Sequence, residues 1–277
     1  MGRDRRSRSP WRVEPDQTNA PPVADAAAYG TAGTAAQAET ARPLALVIGN
    51  SAYPDAGLPL AQPVNSARAV ADALQEKNFD VAIEENLTRS AMERAFETLK
   101  SKVRPGATVL IFFSGFGIQA ARQTYLIPVN AQIWSEADVR RSGLSLEPLL
   151  AEIEAKGAGA KLLVLDASRR NPFERRFRSL SIGPAAIQAP DDSLMLYAAA
   201  PGKVVDDGEG ELSRLTDGLI AQMRAPAPRA EETFNRTRLT VAGATQRAQT
   251  PWVSSSLAHD FILGSSEPAG TTRQSAR

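Results

Sequence analysis

TVLIFFSGFG, residues 108–117, holds the key to the fold. Val109 to Phe113 is continuously apolar and short, the pattern of a parallel strand buried on both faces. Ser114-Gly115 then marks a strand end and the start of a tight loop. A second segment of the same kind, KLLVLDASRRNPF, covers residues 161–173. Its apolar part, Lys161 to Leu165, ends in Asp166-Ala167-Ser168. In open α/β sheets, ligands bind beyond the carboxyl ends of the strands. Residues 114–117 and 166–173 are therefore the first places to look for chemistry.

Working outward, strands and helical patterns alternate. Leu44 to Gly49 reads as a first strand and Phe79 to Glu84 as a second. Between them, Ala67, Val70, Ala71 and Leu74 recur at helical spacing and predict a helix from about Ser66 to Lys77. Thr88 is placed to cap a helix with Met92, Ala95, Phe96, Leu99 and Val103 on one face, stopped by Pro105-Gly106. Ser145 is expected to cap another, with Leu146, Leu149, Leu150 and Ile153 inward, ending near Gly157. Ser193 to Ala200 predicts a fifth strand and Thr250 to Leu257 a sixth. Helices are expected over 213–223 and 231–247. The alternation predicts a three-layer α/β domain with a mainly parallel, six-stranded sheet flanked by helices. The domain is expected over 43–263, between disordered tails at 1–42 and 264–277.

Composition removes several function classes. The 277 residues carry a net charge of +1 and include 43% hydrophobic and 23% charged residues. That balance suits a soluble core and gives no general preference for nucleic acid. The N-terminal Arg3, Arg5, Arg6, Arg8 and Arg12, against Asp4, read as a solvated basic tail or a weak tether to an anionic surface. No apolar signal region follows them, and no apolar run approaches the roughly 20 residues of a membrane span. A cytoplasmic protein is expected. There is no cysteine and one histidine, His259. Disulfides, thiolate ligands and a cysteine nucleophile are excluded, and a zinc site lacks its usual ligands.

Six ordered segments resemble the caspase-like family of peptidases (C14, with metacaspases and bacterial orthocaspases). The match runs from about 42 to 263. LALVIGNSAY (44–53) resembles the family's first strand. PVNSARAVADAL (63–74) resembles its Asn-Asp-Ala helix start. YLIPVNAQ (125–132) resembles the stretch after the catalytic histidine. DASRRNPF (166–173) resembles the nucleophile strand, and MLYAAAPGKVVDDG (195–208) the strand and loop lining the specificity cleft. The sixth segment is the Ser-Gly strand end at 114–115.

The resemblance implies a cysteine peptidase with a Cys–His dyad. The histidine position is Phe116 and the cysteine position is Ser168. Phenylalanine has no proton to exchange, and serine is a poor nucleophile without a base. The resemblance also implies a pocket for a P1 arginine or lysine, held by two acids. The first position is Ser66; the second, Asp166, is retained, as is Ser114 before the missing histidine. Asp166 has an alternative reading as a loop-capping carboxylate at a strand end. A degenerate, inactive peptidase is expected, binding a peptide or protein partner or regulating an active relative. The alternatives are an active hydrolase with Ser168 as nucleophile, or an engineered Cys-to-Ser form of an Arg/Lys-specific peptidase. An exposed last strand also admits pairing into a homodimer. No cofactor is expected. The acidic run Asp206 to Glu211 is compatible with calcium, which some metacaspases use, but lacks the alternating spacing of an EF-hand loop. Arg169, Arg170, Arg175, Arg176 and Arg178 read as a solvated basic loop, or as a contact for an acidic partner.

Overall fold

Leu44–Gly49 forms β1, Pro63–Glu76 forms α1 and Asp80–Glu85 forms β2. α1 begins three residues before its expected start. Pro63 occupies the first turn, where its fixed φ favours the helix and its missing N–H costs nothing. Arg89–Lys102 is α2, and Thr88 caps it by accepting from the Ala91 amide. Its buried residues Met92, Ala95, Phe96 and Leu99 are those of the expected apolar stripe. Val109–Ser114 is β3. The structure is a computed structural model and describes residues 42–54, 60–169, 184, 187, 190–205, 209–226, 228–259 and 261–263. The expected tails lie outside these residues, apart from Arg42. That arginine donates to the carbonyls of Asn78 and Phe79 at the foot of β2.

Residues 115–144 hold elements that the sequence pattern did not reveal. Gly117–Ala120 (β4) and Gln123–Leu126 (β5) form an antiparallel hairpin, and Leu144–Ser145 (β6) pairs with β5. The hairpin turn is Ala121-Arg122, both with positive φ. Two-residue hairpins of this kind are usually announced by Asn-Gly or Asp-Gly, so Ala-Arg gives no signal. Glu136–Ser142 (α3) follows, capped by Ser135.

Leu146–Ala155 is α4. Ser145 stands at its N-cap without capping it: its hydroxyl donates to Glu147 Oε2 and its backbone belongs to β6. Lys161–Asp166 is β7 and Ser193–Tyr197 is β8. β8 stops three residues before its expected end. Its last partner is Trp252, and the preceding Pro251 has no N–H to extend the ladder. Arg214–Met223 is α5, with Ser213 accepting from the Thr216 amide. Ala230–Ala244 is α6, shorter than expected because Gln246 and Arg247 turn to positive φ. Trp252–Ser255 is β9.

The main sheet has six strands in the order β2-β1-β3-β7-β8-β9, with only β9 antiparallel. Its strands alternate between two cores. Leu46, Ile48, Ile111, Phe113, Leu163 and Leu165 pack with α2 and α4 on one face. Val47, Leu110, Phe112, Leu162, Val164 and Leu196 pack with α1, α5 and α6 on the other. Phe112 and Phe113 thus bury their rings on opposite sides of β3. β4, β5 and α3 build a third cluster around Phe116, Ile118, Tyr125, Ile127 and Val139. Among the described residues no helix is long and apolar enough to cross a membrane.

Candidate functional site

The strand order reverses between β1 and β3, the point where an open α/β sheet normally leaves a ligand crevice. Here that crevice is filled. Asn50, just after β1, is fully buried: its carboxamide oxygen accepts from the Leu87 amide and its nitrogen donates to the Ile127 carbonyl. Tyr53 lies across the end of β3. Its hydroxyl donates to the Ile127 carbonyl at 3.0 Å and accepts from the Phe116 amide at 3.1 Å. Burial holds this phenol well above the ordinary tyrosine pKa. Gly115 makes the approach feasible, because a Cβ there would stand 2.5 Å from the Tyr53 oxygen.

Phe116 completes the plug. Its ring centroid lies 4.7 Å from that of Tyr53, tilted by 60°, a favourable aromatic arrangement. It is buried within the third cluster. Its carbonyl accepts from the Ile127 amide at 3.0 Å, so both its backbone groups are engaged. The position that the resemblance assigns to a general base holds a dry, packed hydrocarbon ring.

The ends of β3 and β7 run on side by side. Ser114 is in register with Asp166. Beyond them the Gly115 amide donates to the Asp166 carbonyl at 3.3 Å, and the Gly117 amide to that of Ala167 at 3.2 Å. The Ser114 hydroxyl donates to Asp166 Oδ2 at 2.8 Å. Both residues are buried. Arg169 then turns back onto the same carboxylate. Its Nη2 lies 3.4 Å from Asp166 Oδ2, and its Nη1 donates to the carbonyls of Gly115 and Asp166. Arg169 is only 5% exposed. Its reading as the first residue of a solvated loop is corrected: a buried carboxylate three residues earlier draws it in, because neither charge is stable there alone. Arg170, Arg175, Arg176 and Arg178 lie outside the described residues.

Ser168 sits between these groups, 1% exposed. Its carbonyl accepts from the Val205 amide at 2.8 Å, which docks the loop after β8 onto the strand end. Its hydroxyl has no hydrogen-bond partner, the only such buried side-chain oxygen or nitrogen among the described residues. Ser66 is placed differently. It is fully buried on α1, and its hydroxyl accepts from the Ser213 amide at 3.1 Å, tying α1 to the start of α5. Ser114 and Asp166 are therefore joined directly, and Ser66 serves a different contact.

A model of the caspase domain family matches residues 42–262. This chain belongs to that family. A comparison with curated proteins gives no match. The family span takes in every element of the main sheet and the small β4-β5-β6 sheet. Within this caspase domain the expected six-stranded, mainly parallel sheet is present.

Two residues of the site were under-read in the sequence. Tyr53 was visible only as the end of a matched motif, and Arg169 only as part of a charge run. The spacing of Asp166 and Arg169, three apart at a strand end, was the available signal for the ion pair. No group of three or more His, Asp or Glu side chains among the described residues is arranged to hold a metal. Asp206 and Asp207 of the acidic run lie outside them. His259, beyond β9, is exposed. Among the described residues, surface cavities of about 400 and 320 Å³ lie between α6 and β9 and between α2 and α4. Neither is lined by Phe116, Asp166 or Ser168.

Proposed function

We propose that this caspase-domain protein works without peptidase chemistry, by binding a peptide or protein partner or by associating with an active relative. The observation that carries the reading is Phe116, packed against Tyr53 where a base would have to stand. A general base must come within about 2.6–3.2 Å of the proton it takes, directly or through one water. Ser168 Oγ has no such neighbour, and loss of a positioned base alone costs about 10²–10⁴ in rate. The chain has no cysteine to supply a thiolate, and its one histidine is exposed beyond β9. The expected absence of a cofactor belongs to the same reading, since binding of this kind calls for none. Pairing of two copies along β9 is one form such association takes, because β9 is an edge strand.

Arg/Lys-P1 fluorogenic peptides, with and without calcium, and a serine-reactive fluorophosphonate probe test the reading together. The expected result is silence in both. Labelling or turnover that disappears in Ser168→Ala would establish a serine hydrolase instead. Cleavage after Arg or Lys by Ser168→Cys alone would show a silenced peptidase with an intact base.

A further inference from the structure

The two edges of the main sheet are built differently. β2 ends one side with three carboxylates in six residues, Asp80, Glu84 and Glu85, and Lys102 and Arg68 pair with the first and last of them. Charge of this kind keeps a foreign strand off an edge. β9 ends the other side within an uncharged run, Thr-Pro-Trp-Val-Ser-Ser-Ser at residues 250–256. Trp252 is 47% exposed on it. The Ser256 amide donates to the Ser193 carbonyl beside β8. Antiparallel alternation then turns the backbone groups of Trp252 and Ser254 toward β8, and the N–H and C=O of Val253 and Ser255 outward. Among the described residues no strand pairs with that outer side.

β9 also lines the cavity of about 400 Å³ beneath α6. Arg238 and Glu231 reach this cleft from α6, at opposite ends of it. Thr245, just past α6, is hydrogen-bonded to Gln249, just before β9. Counting back from there at about 1.5 Å per helical residue and about 3.3 Å per strand residue brings Arg238 level with Trp252, and Glu231 level with Ser255. Arg238 is half-buried and has no hydrogen-bond or ion-pair partner among the described residues. Such a guanidinium is a ready partner for a carboxylate. Every second side chain of a strand added to β9 would point toward α6, so a carboxylate level with Trp252 would meet Arg238. A second copy of the chain offers no carboxylate from residues 250–256, so self-pairing leaves Arg238 unanswered.

We propose that β9 and the α6 cleft form a docking site for an extended segment of a partner protein, which adds a strand beside β9 and sets an acidic side chain on Arg238. The inference deepens the binding-protein reading and rests on it: it gives the place of docking and the chemistry of the partner.

The test is fluorescence anisotropy of labelled peptides titrated with the full chain. The probe is the capped peptide Thr-Thr-Val-Thr-Glu-Thr-Val-Thr-Thr, and its control carries Gln in place of Glu. The Glu peptide is expected to bind about five- to tenfold more tightly than the Gln peptide, and Arg238→Gln to erase that difference without changing Gln-peptide binding. Two further Glu peptides are N-methylated on the odd or on the even residues. An added strand turns one edge to β9, so one of these two is expected to lose binding and the other to keep it. No binding of the Glu peptide up to about 5 mM would overturn the proposal. A preference for Glu that survives Arg238→Gln would overturn it too, as would equal behaviour of the two methylated peptides. Sedimentation of the native chain as a dimer that Ser255→Pro makes monomeric would assign the edge to a second copy instead, because that change removes only an outward N–H. Peptidase turnover would sink the binding-protein reading and leave these titrations standing, since neither Phe116 nor Ser168 lines the cleft.

Discussion

Replacing Phe116 by histidine asks whether the plugged crevice is merely missing a catalytic group or has been rebuilt. The imidazole would enter a cluster formed by Tyr53, Ile118, Ile127 and their neighbours. Tyr53 offers it no free hydrogen, because its hydroxyl already donates to Ile127 and accepts from residue 116. At least one ring nitrogen is left unpaired in an apolar surround, at about 1–3 kcal/mol. The smaller apolar surface of the ring adds roughly 1 kcal/mol. The expected destabilisation is about 2–4 kcal/mol near pH 7.5, a Tm drop of about 5–15 °C for a domain of this size. Burial disfavours the imidazolium, so the folded pKa falls below the unfolded value of about 6.5. Protons then bind preferentially to the unfolded chain, and the deficit widens as pH falls through about 6.5. Melts of native and Phe116→His protein at pH 7.5 and 5.5 give the answer. Equal stability at both pH values would mean that residue 116 reaches solvent, and the argument for a closed crevice would fail. Phe116→His/Ser168→Cys is expected to stay inactive on Arg/Lys peptides for the same reason.

Three other outcomes are expected. Ser168→Ala removes a buried hydroxyl that has no partner, so it should leave stability unchanged or raise it by about 1 kcal/mol; a loss above 1 kcal/mol in chemical denaturation would reveal a partner. Gly115→Ala places a methyl group 2.5 Å from the Tyr53 oxygen and should cost about 2 kcal/mol or more, read as a lower denaturation midpoint. Tyr53 and Tyr197 both have phenols raised by burial. Their neutral forms favour the fold, so this stability is intact below about pH 10 and lost above it. Absorbance at 295 nm should show both titrating only as circular dichroism reports unfolding.

The main sheet was legible because its signal is local. Each strand is a short apolar run, and each major helix repeats its buried residues every three or four positions. Helix and strand ends slipped where one residue decides them, such as Pro63 for α1 and Pro251 for β8. The hairpin of β4 and β5 was not legible. Its strands have four residues each, and its Ala121-Arg122 turn is held by surrounding structure rather than by turn-forming residues. At the site, motif order located Phe116, Ser168, Asp166 and Ser114. It was silent on which face Phe116 would pack against, and on Arg169 folding inward. Phe116 packs against Tyr53, 63 residues earlier in the chain, and Arg169 adds the Gly115 carbonyl, 54 residues earlier, to its contact with nearby Asp166.

The opposed rings of Phe112 and Phe113 also set where motion can occur. β3 is hydrogen-bonded on both sides and covered on both faces, so its amides open to solvent only when the whole domain does. Hydrogen exchange should find them among the slowest in the molecule. Ser114 ends that strand and Phe116 follows two residues later, so both inherit its stillness. A partner that reaches this end of the sheet meets a fixed platform, and any adaptation on binding falls to the partner and to the loops around it.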